Sequence, residues 1–160
     1  MDINTRTVEV MEQHLIPMGT TPEQYRASVM SLTDRMMQLP QVECPLTHRF
    51  APGVYSREIF IPAGTIIIGK IHRHEHLNFL LEGEITVVTE EGSRRLKAPC
   101  TFVAPAFTKK AAYAHTDVRW TNVHATSETD VEKIEDEMVL PSYDDPEFLA
   151  HIRTTLSLEV

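Results

Sequence analysis

Three histidines, His72, His74 and His76, stand at alternate positions in the run Ile-His-Arg-His-Glu-His-Leu. Alternation predicts that their imidazoles share one face of an extended strand, because successive side chains of a strand point to opposite sides. Imidazole binds transition metals at neutral pH, and histidines at positions i and i+2 lie roughly 6.6 Å apart along a strand. His72 and His74 are therefore a candidate chelate for a divalent transition metal.

The third histidine is too far along a straight strand to join the first at one ion. His72 and His76 would lie roughly 13 Å apart, whereas a metal–nitrogen bond is about 2.1 Å long. Either the backbone bends near Glu75 or one of the histidines has another role. The alternative interpretation of the whole run is a polar strand face that binds no metal.

The segment from these histidines to Gly83 resembles the first conserved motif of the cupin superfamily. In that motif an H-x-H pair precedes a glutamate, and a glycine follows the glutamate after six further residues. His72 and His74 match the pair and Gly83 matches the glycine, whereas His76 stands where the family usually has its glutamate ligand. The resemblance implies a small jelly-roll β-barrel whose interior holds a divalent transition metal such as Zn, Fe, Ni, Mn or Cu.

The second cupin motif should fall within residues 98–114, and there the sequence departs from the family pattern. Pro105 is retained, but Phe107 replaces the turn glycine. Lys110 replaces the histidine that would be the fourth ligand, and Ala114 replaces an asparagine. This half of the family's site is therefore not carried over.

A substitute ligand is present on the next predicted strand. That strand places Trp120, Asn122 and His124 on one face, which in a barrel could face the same ion. The sequence thus predicts a metal site of His72, His74, His76 and His124. The alternative for His124 is a strand-end histidine satisfied by solvent or backbone.

Hydrophobic periodicity divides the chain into an N-terminal arm and helix (residues 1–48), a β-rich region (49–127) and a C-terminal helical extension (128–160). The predicted class is mainly β with an N-terminal helix and short C-terminal helices, and the resemblance implies that the β-rich region is a cupin-like jelly-roll β-barrel. Turn residues separate short strands at regular spacing, as is typical of barrels and sandwiches. The predicted strands cover residues 54–60, 65–71, 72–81, 84–89, 93–97, 101–104, 109–114 and 118–125.

Helix-start signals stand on both sides of this region. Thr21 to Gln24 form a capping box that opens an amphipathic helix expected to end near Pro40, whereas residues 4–19 have weaker helical character. Capping residues at Thr129 and Asp145 predict two short C-terminal helices.

Composition excludes several classes of protein. The net charge of −8 opposes binding to phosphate backbones, so we expect no nucleic-acid partner. The longest apolar run is far too short to span a bilayer, and no signal peptide is recognisable, so we expect a soluble cytoplasmic protein without membrane association.

Residues 50–137 also resemble small cupin-like proteins encoded in tailed-phage and prophage genomes, which would place the protein in the host cytoplasm. That resemblance implies no particular reaction. Three functions remain open: a metal-dependent enzyme acting on a small molecule in the barrel, a noncatalytic phage virion or accessory protein, and a sensor of a small ligand. No catalytic residue can be assigned from the sequence.

The predicted histidine strand has a second face. If the histidines point inward, Leu77, Phe79 and Leu81 point outward and require a cover. Cupin-like barrels commonly dimerise through sheet faces, so the resemblance favours a homodimer. The N-terminal helix is the alternative cover.

Overall fold

The computed structural model describes residues 3–158 and consists of two antiparallel β-sheets with helices at both ends of the chain. The helices are α1 (Ile3–Leu15), α2 (Pro22–Met36), α3 (Val131–Met138) and α4 (Pro146–Leu158). The strands are β1 (Leu46–Ala51), β2 (Val54–Ile61), β3 (Ile66–Ile68), β4 (Ile71–His72), β5 (His76–Glu82), β6 (Glu84–Thr89), β7 (Gly92–Lys97), β8 (Cys100–Ala104), β9 (Ala111–Ala114), β10 (Val118–Ala125) and β11 (Val139–Leu140).

The two large sheets lie face to face. One has the order β1-β2-β10-β5-β8 and the other the order β3-β9-β6-β7, while β4 and β11 form a separate two-stranded pair. Alternation along the strands sends Ile61, Leu80 and Trp120 of the first sheet against Ile85 and Ala112 of the second, in one buried cluster. The mainly β jelly-roll class predicted from the sequence is confirmed, built as two facing open sheets.

The outer face of the four-stranded sheet is covered by helices. Val29 of α2 and Leu15 of α1 are buried against Val88 and Ala111 of that sheet. The Tyr25 hydroxyl lies within hydrogen-bond reach of the carbonyl oxygens of Val88 (3.1 Å) and Lys109 (2.7 Å). Helix α2 is thus fixed to the sheet opposite the one that carries β5.

The N-terminal helices differ in part from the sequence expectation. The capping box at Thr21 is confirmed, since its side chain accepts from the Gln24 N–H and the Gln24 side chain accepts from the Thr21 N–H. Helix α2 ends at Met36, ahead of Pro40, and residues 3–15 form a full helix because Met11 and Leu15 are buried against the sheet. Residues 1–2 and 159–160 of the predicted terminal segments lie outside the described residues.

Two strand predictions were wrong around the histidines. The expected strands over residues 65–71 and 72–81 are replaced by three shorter ones, because the chain leaves extended geometry at residues 69–70 and again at 73–75. Tertiary pairing overrides the local pattern here, since β3 pairs with β9, β4 with β11, and β5 with β10 and β8. An additional strand, β1, begins at Leu46, ahead of the predicted barrel boundary at residue 49.

The start of α3 also differs by one residue from the expectation. The N-cap is Asp130, whose carboxylate accepts from the Glu132 N–H, whereas the Thr129 N–H donates to the Glu128 carboxylate. Asp145 precedes α4 as expected and accepts from the Glu147 N–H. No helix within residues 3–158 combines the length and apolar character needed to cross a membrane.

None of the helices within residues 3–158 covers the outer stripe of β5. Leu77 and Leu81 are 48% and 45% exposed, and Val103, paired with Leu77 on β8, is 55% exposed. Phe79 is half-buried. This apolar stripe, Leu77, Phe79 and Leu81 with Val103, lies on the outer face of the five-stranded sheet.

Gly83 is the glycine most tightly constrained by its surroundings. Its φ is +90°, and a Cβ built there would overlap the Asp117 carbonyl oxygen and lie 2.7 Å from the Thr116 hydroxyl. The β5–β6 turn therefore requires glycine for both conformation and space.

We predict that Gly83→Ala lowers the free energy of unfolding by about 3 kcal/mol or more, because backbone strain and overlap combine. Gly64→Ala is the matched control: its φ is +80° but nothing lies within 4 Å of the added methyl. In that variant the free energy of unfolding should fall by only about 1–2 kcal/mol, which is the cost of a positive φ for a residue with a Cβ. Urea unfolding measures both, and equal losses would contradict the steric explanation.

Candidate metal centre and cavity

Three histidines from separate strands converge at one end of the space between the sheets. His72 of β4, His76 of β5 and His124 of β10 each offer a ring nitrogen, and these atoms all lie within 4.8 Å of one another. The ring centroids are 4.3 Å apart for His72 and His76, 4.7 Å for His76 and His124, and 5.4 Å for His72 and His124. His76 and His124 are buried, at 5% and 7% exposure.

The backbone bend at residues 73–75 makes this convergence possible. The bend separates β4 from β5, so His72 and His76 approach each other from different strands. On the sheet, Asn122 of β10 pairs with Asn78 of β5, and the next inward positions on these antiparallel strands are His124 and His76. The bend that the sequence left as one alternative near Glu75 is present.

The structure does not bring His74 into the group. Its side chain lies within the bend and is exposed, since the alternation of a strand is lost there. Its backbone takes part instead: the His74 carbonyl oxygen lies 3.1 Å from Nδ1 of His76. Of the four histidines predicted as ligands, the structure thus groups His72, His76 and His124.

His72 is held by backbone contacts on both sides. Its carbonyl oxygen accepts from the Phe107 N–H at 2.7 Å, and His72 pairs with Val139 of β11. The next residue, Arg73, donates its backbone N–H to the Met138 carbonyl at 2.7 Å. The position of β4 therefore depends on the C-terminal end of α3 and on the turn that contains Phe107.

Phe107 occupies the place of the turn glycine in the second cupin motif, and it adopts a glycine-like φ of +61°. Such a conformation costs a residue with a Cβ roughly 1–2 kcal/mol. Packing on α4 holds it, with ring centroids 5.8 Å from Phe148 and 4.5 Å from His151. The Tyr143 hydroxyl also donates to the Phe107 carbonyl at 3.2 Å.

Two ring nitrogens of the cluster have no partner among the described residues although they are buried: Nδ1 of His72 and Nε2 of His76. In His76 the hydrogen bond to the His74 carbonyl requires that Nδ1 carries the proton, which leaves the Nε2 lone pair free. Metal-binding histidines typically have this second hydrogen bond, which fixes the tautomer. The orphaned nitrogens and the donor set therefore fit a divalent transition metal.

Burial keeps the imidazoles neutral, as metal ligation requires. Removal from water is the largest cause in each case, and it lowers the pKa of His76 and of His124 to about 4. The pKa of His72 falls further, to about 2, since the neighbouring His76 and Lys110 add to the effect of burial. All three side chains present lone pairs rather than charges at pH 7.

A cavity of about 300 Å³ extends from the histidines between the two sheets. On β2, alternation directs Tyr55, Arg57, Ile59 and Ile61 into it, and sequence analysis did not single out this row as functional. The remaining wall is mostly apolar, with Ile67, Ile85, Ala112, Trp120, Ile134 and Met138 among its residues. Helix α3 closes one side through Ile134 and Met138.

Tyr55 and His48 link the strands at the histidine end. The Tyr55 hydroxyl is hydrogen-bonded to Nδ1 of His48 at 2.7 Å, and the Tyr55 ring stacks on His124 at 6.3 Å. Burial raises the pKa of Tyr55, so the phenol stays protonated at neutral pH. Both residues line the cavity.

Lys110 faces the cavity from the position at which the second cupin motif has its histidine. Burial lowers its pKa to about 8, so it is mainly charged at pH 7. The substitution noted in the sequence therefore places a cation, in place of an imidazole, beside the histidines.

We predict that the metal-free protein loses stability as the pH falls from 6.5 towards 4. The unfolded histidines take up protons near pH 6.5, whereas the folded ones resist protonation until about pH 4, so acid favours unfolding. His124→Gln removes one such group. From pH 7 to pH 5, the free energy of unfolding should fall by about 1–2 kcal/mol more in the parent than in the variant. Urea unfolding in the presence of a chelator measures both. Equal losses would show that His124 is not held neutral.

Comparison with known proteins identifies similar folds but no close relative. No protein-family model matches the chain, and no curated protein matches it. Among solved structures, ectoine synthase from P. lautus is similar over 65% of this chain and 80% of its own, with 16% identity and a TM-score of 0.51. KdgF from Halomonas sp. is 22% identical over 57% of this chain and 86% of its own, with a TM-score of 0.47.

A likeness at 16% identity concerns the fold alone. It agrees with the two facing antiparallel sheets. The chain has the jelly-roll fold of the cupins.

Proposed function

We propose that this protein binds one divalent transition metal through His72, His76 and His124, and that the bound ion serves a small molecule held in the adjoining cavity. The convergence of three neutral imidazoles carries the proposal, since two of their buried nitrogens lack any partner within residues 3–158. An uncompensated buried polar atom costs about 1–3 kcal/mol, and a metal ion would satisfy these atoms together.

Three protein ligands leave coordination positions free for another molecule, as in catalytic metal sites. Nitrogens bound to one ion at about 2.1 Å each lie at most about 4.2 Å apart, so the present limit of 4.8 Å requires only a small closing movement. A divalent ion held there would supply Lewis acidity for a bound ligand. His72 is braced by backbone bonds and His76 by the His74 carbonyl, which supports a preorganised site.

A ligand-binding sensor without catalysis is the second candidate, and the acid–base groups of the cavity favour it. Among the described residues, Glu135 is the one carboxylate that lines the cavity, and it is paired with Lys70. A free general base of carboxylate type is therefore missing from the wall, which leaves Tyr55, His48 and Lys110 as proton carriers. The phage or prophage setting and the cytoplasmic location remain predictions from the sequence.

We predict that tag-free protein carries about one transition-metal ion per chain, measured by elemental analysis. His76→Gln and His124→Gln should each weaken metal binding by about tenfold or more, because each removes one of three ligands. His74→Gln is the matched control, since it lies in the same segment but is exposed and outside the cluster.

Metal content that falls equally in the His74 variant would contradict the assignment of the three ligands. Metal-free parent protein that also fails to bind added Zn²⁺, Ni²⁺, Fe²⁺, Mn²⁺ or Cu²⁺ would overturn metal binding altogether. Far-ultraviolet circular dichroism of each variant verifies that the fold is intact.

We further propose that a second copy of the chain covers the apolar stripe of β5. The N-terminal helices cover the opposite sheet, so the alternative cover considered for this stripe is not supported. Across β10 from Phe79 lies Glu58, which pairs with Arg119 at 2.7 Å and Arg49 at 3.2 Å. A face with both apolar residues and charges of both signs can complement itself across a two-fold axis.

Leu77→Asp should convert the dimer into a monomer. Leu77 is 48% exposed in the single chain, and the proposed interface would bury that surface, so the substitution would bury a charge there. Light scattering and sedimentation measure the mass. Leu39→Asp is the matched control: Leu39 is 61% exposed but lies after α2, away from the stripe. A monomeric parent, or a Leu77 variant that dimerises as tightly as the parent, would contradict this interface.

A further inference from the structure

The cavity behind the histidines is positively charged in a chain whose net charge is −8. Arg57, Lys70 and Lys110 line it, and Glu135 is the sole carboxylate in its wall within the part of the chain that the structure describes. Lys70 pairs with Glu135 at the exposed mouth. Two cations, Arg57 and Lys110, therefore remain without a counter-charge in contact with them.

Neither cation has a hydrogen-bond or ion-pair partner for its side chain among residues 3–158. Other arginines of the same sheet are paired: Arg119 and Arg49 both contact Glu58 on the outer face. Cations in an apolar cavity lose hydration, which is unfavourable unless a partner replaces the water. Glu135 interacts electrostatically with Arg57, but its direct contact is with Lys70. An anionic ligand would therefore supply the direct contact that Arg57 and Lys110 lack.

Arg57 and Lys110 face the cavity from opposite walls. Arg57 stands in the middle of β2, next to Asn122 of β10, in the five-stranded sheet. Lys110 immediately precedes β9 in the four-stranded sheet, where the Gly69 N–H donates to its carbonyl at 2.8 Å. An anion between the sheets would therefore have a cation on each side.

The rest of the cavity wall determines the size and polarity of the remainder of the ligand. Ile59, Ile67, Ile85 and Trp120 form apolar surface, and the Trp120 N–H is already bonded to Asn78 at 2.9 Å. A volume of about 300 Å³ is at the small end of ligand sites. The site thus suits a compact apolar group attached to one anionic group.

We infer that the cavity binds a small organic acid, whose carboxylate lies between Arg57 and Lys110 and whose apolar body contacts the isoleucines and Trp120. This inference deepens the proposed function and rests on it for the use of the same cavity. A guanidinium can bind a carboxylate through two parallel hydrogen bonds, and an ammonium adds a point charge. Between the sheets, where the two cations are partly buried, both interactions are stronger than on the fully exposed surface.

Two acids with neutral isosteres test the inference on the full chain: benzoate against benzamide, and 3-methylbutanoate against 3-methylbutanamide. Trp120 is the single tryptophan and lines the cavity, so its fluorescence reports occupancy, with calorimetry as a second readout. We expect at least one acid to bind metal-free protein about tenfold or more tightly than its amide. If no acid binds more tightly than its amide, the inference is overturned.

Variants assign the carboxylate to its partners. Arg57→Gln and Lys110→Met should each weaken binding of the acid by about tenfold or more and leave binding of the amide unchanged. Arg94→Gln and Lys97→Met are the matched controls, since both residues are exposed on β7, outside this cavity. Lys110→Met replaces a buried cation by an apolar side chain of similar length, so we expect it to fold. Equal affinities in parent, Arg57 and Lys110 variants would overturn the inference.

Repeating the titrations with and without added Zn²⁺ separates this inference from the metal site. Acid binding that depends on Arg57 and Lys110 in protein that takes up no metal would support the inference while metal binding fails. Histidine-dependent metal uptake in protein that prefers neither acid over its amide would leave metal binding standing and overturn the inference.

Discussion

The bend at residues 73–75 is the constraint on which the site depends. A straight strand would hold His72 and His76 roughly 13 Å apart, yet their rings lie 4.3 Å apart because the chain leaves β4 and re-enters the sheet as β5. Distant parts of the chain hold the bend. The Arg73 guanidinium donates to the carbonyls of Asp136 and Glu137 and pairs with Glu147, so both α3 and α4 are tied to it.

This arrangement explains why the jelly roll carries helical segments at its C-terminal end. Helix α3 lies over the cavity and ends at β11, whose pairing with β4 fixes His72. Helix α4 packs on Phe107, which keeps a glycine-like φ and donates its N–H to the His72 carbonyl. Loss of these contacts would free β4, so the C-terminal helices are part of the site rather than an appendage.

The electrostatics of the cavity follow from the same geometry. Three imidazoles are kept neutral by burial, and two cations face them without a carboxylate in contact. Polar and charged groups that are removed from water need partners that replace their hydration. A metal ion would provide a partner for the imidazole nitrogens, and an organic anion would provide one for the two cations. The site and the outer stripe of β5 also lie on opposite faces of one strand, so the proposed binding and the proposed dimerisation can coexist.

The sequence by itself determined the class of fold and the positions of many turns and helix ends. Periodicity of two and regular turns predicted a mainly β domain, the capping box at Thr21 predicted the start of α2, and the resemblance around Gly83 implied a jelly roll. Strands β6 and β10 were predicted at their observed bounds. These features are local, since they depend on side-chain alternation and on turn conformations that neighbouring residues dictate.

Only the tertiary structure decided which side chains meet. Alternation favoured His72 with His74, but pairing of β4 with β11 and of β5 with β10 turns the chain between them, exposes His74 and brings in His124 from 48 residues beyond His76. Arg57 carried no local signal, because a single arginine on a strand is usually solvated. Only the tertiary structure shows that Arg57 lines the same cavity as Lys110, between the two facing sheets. Local pattern sets the face a residue occupies, whereas the bend and the sheet register, which are non-local, set what that face contacts.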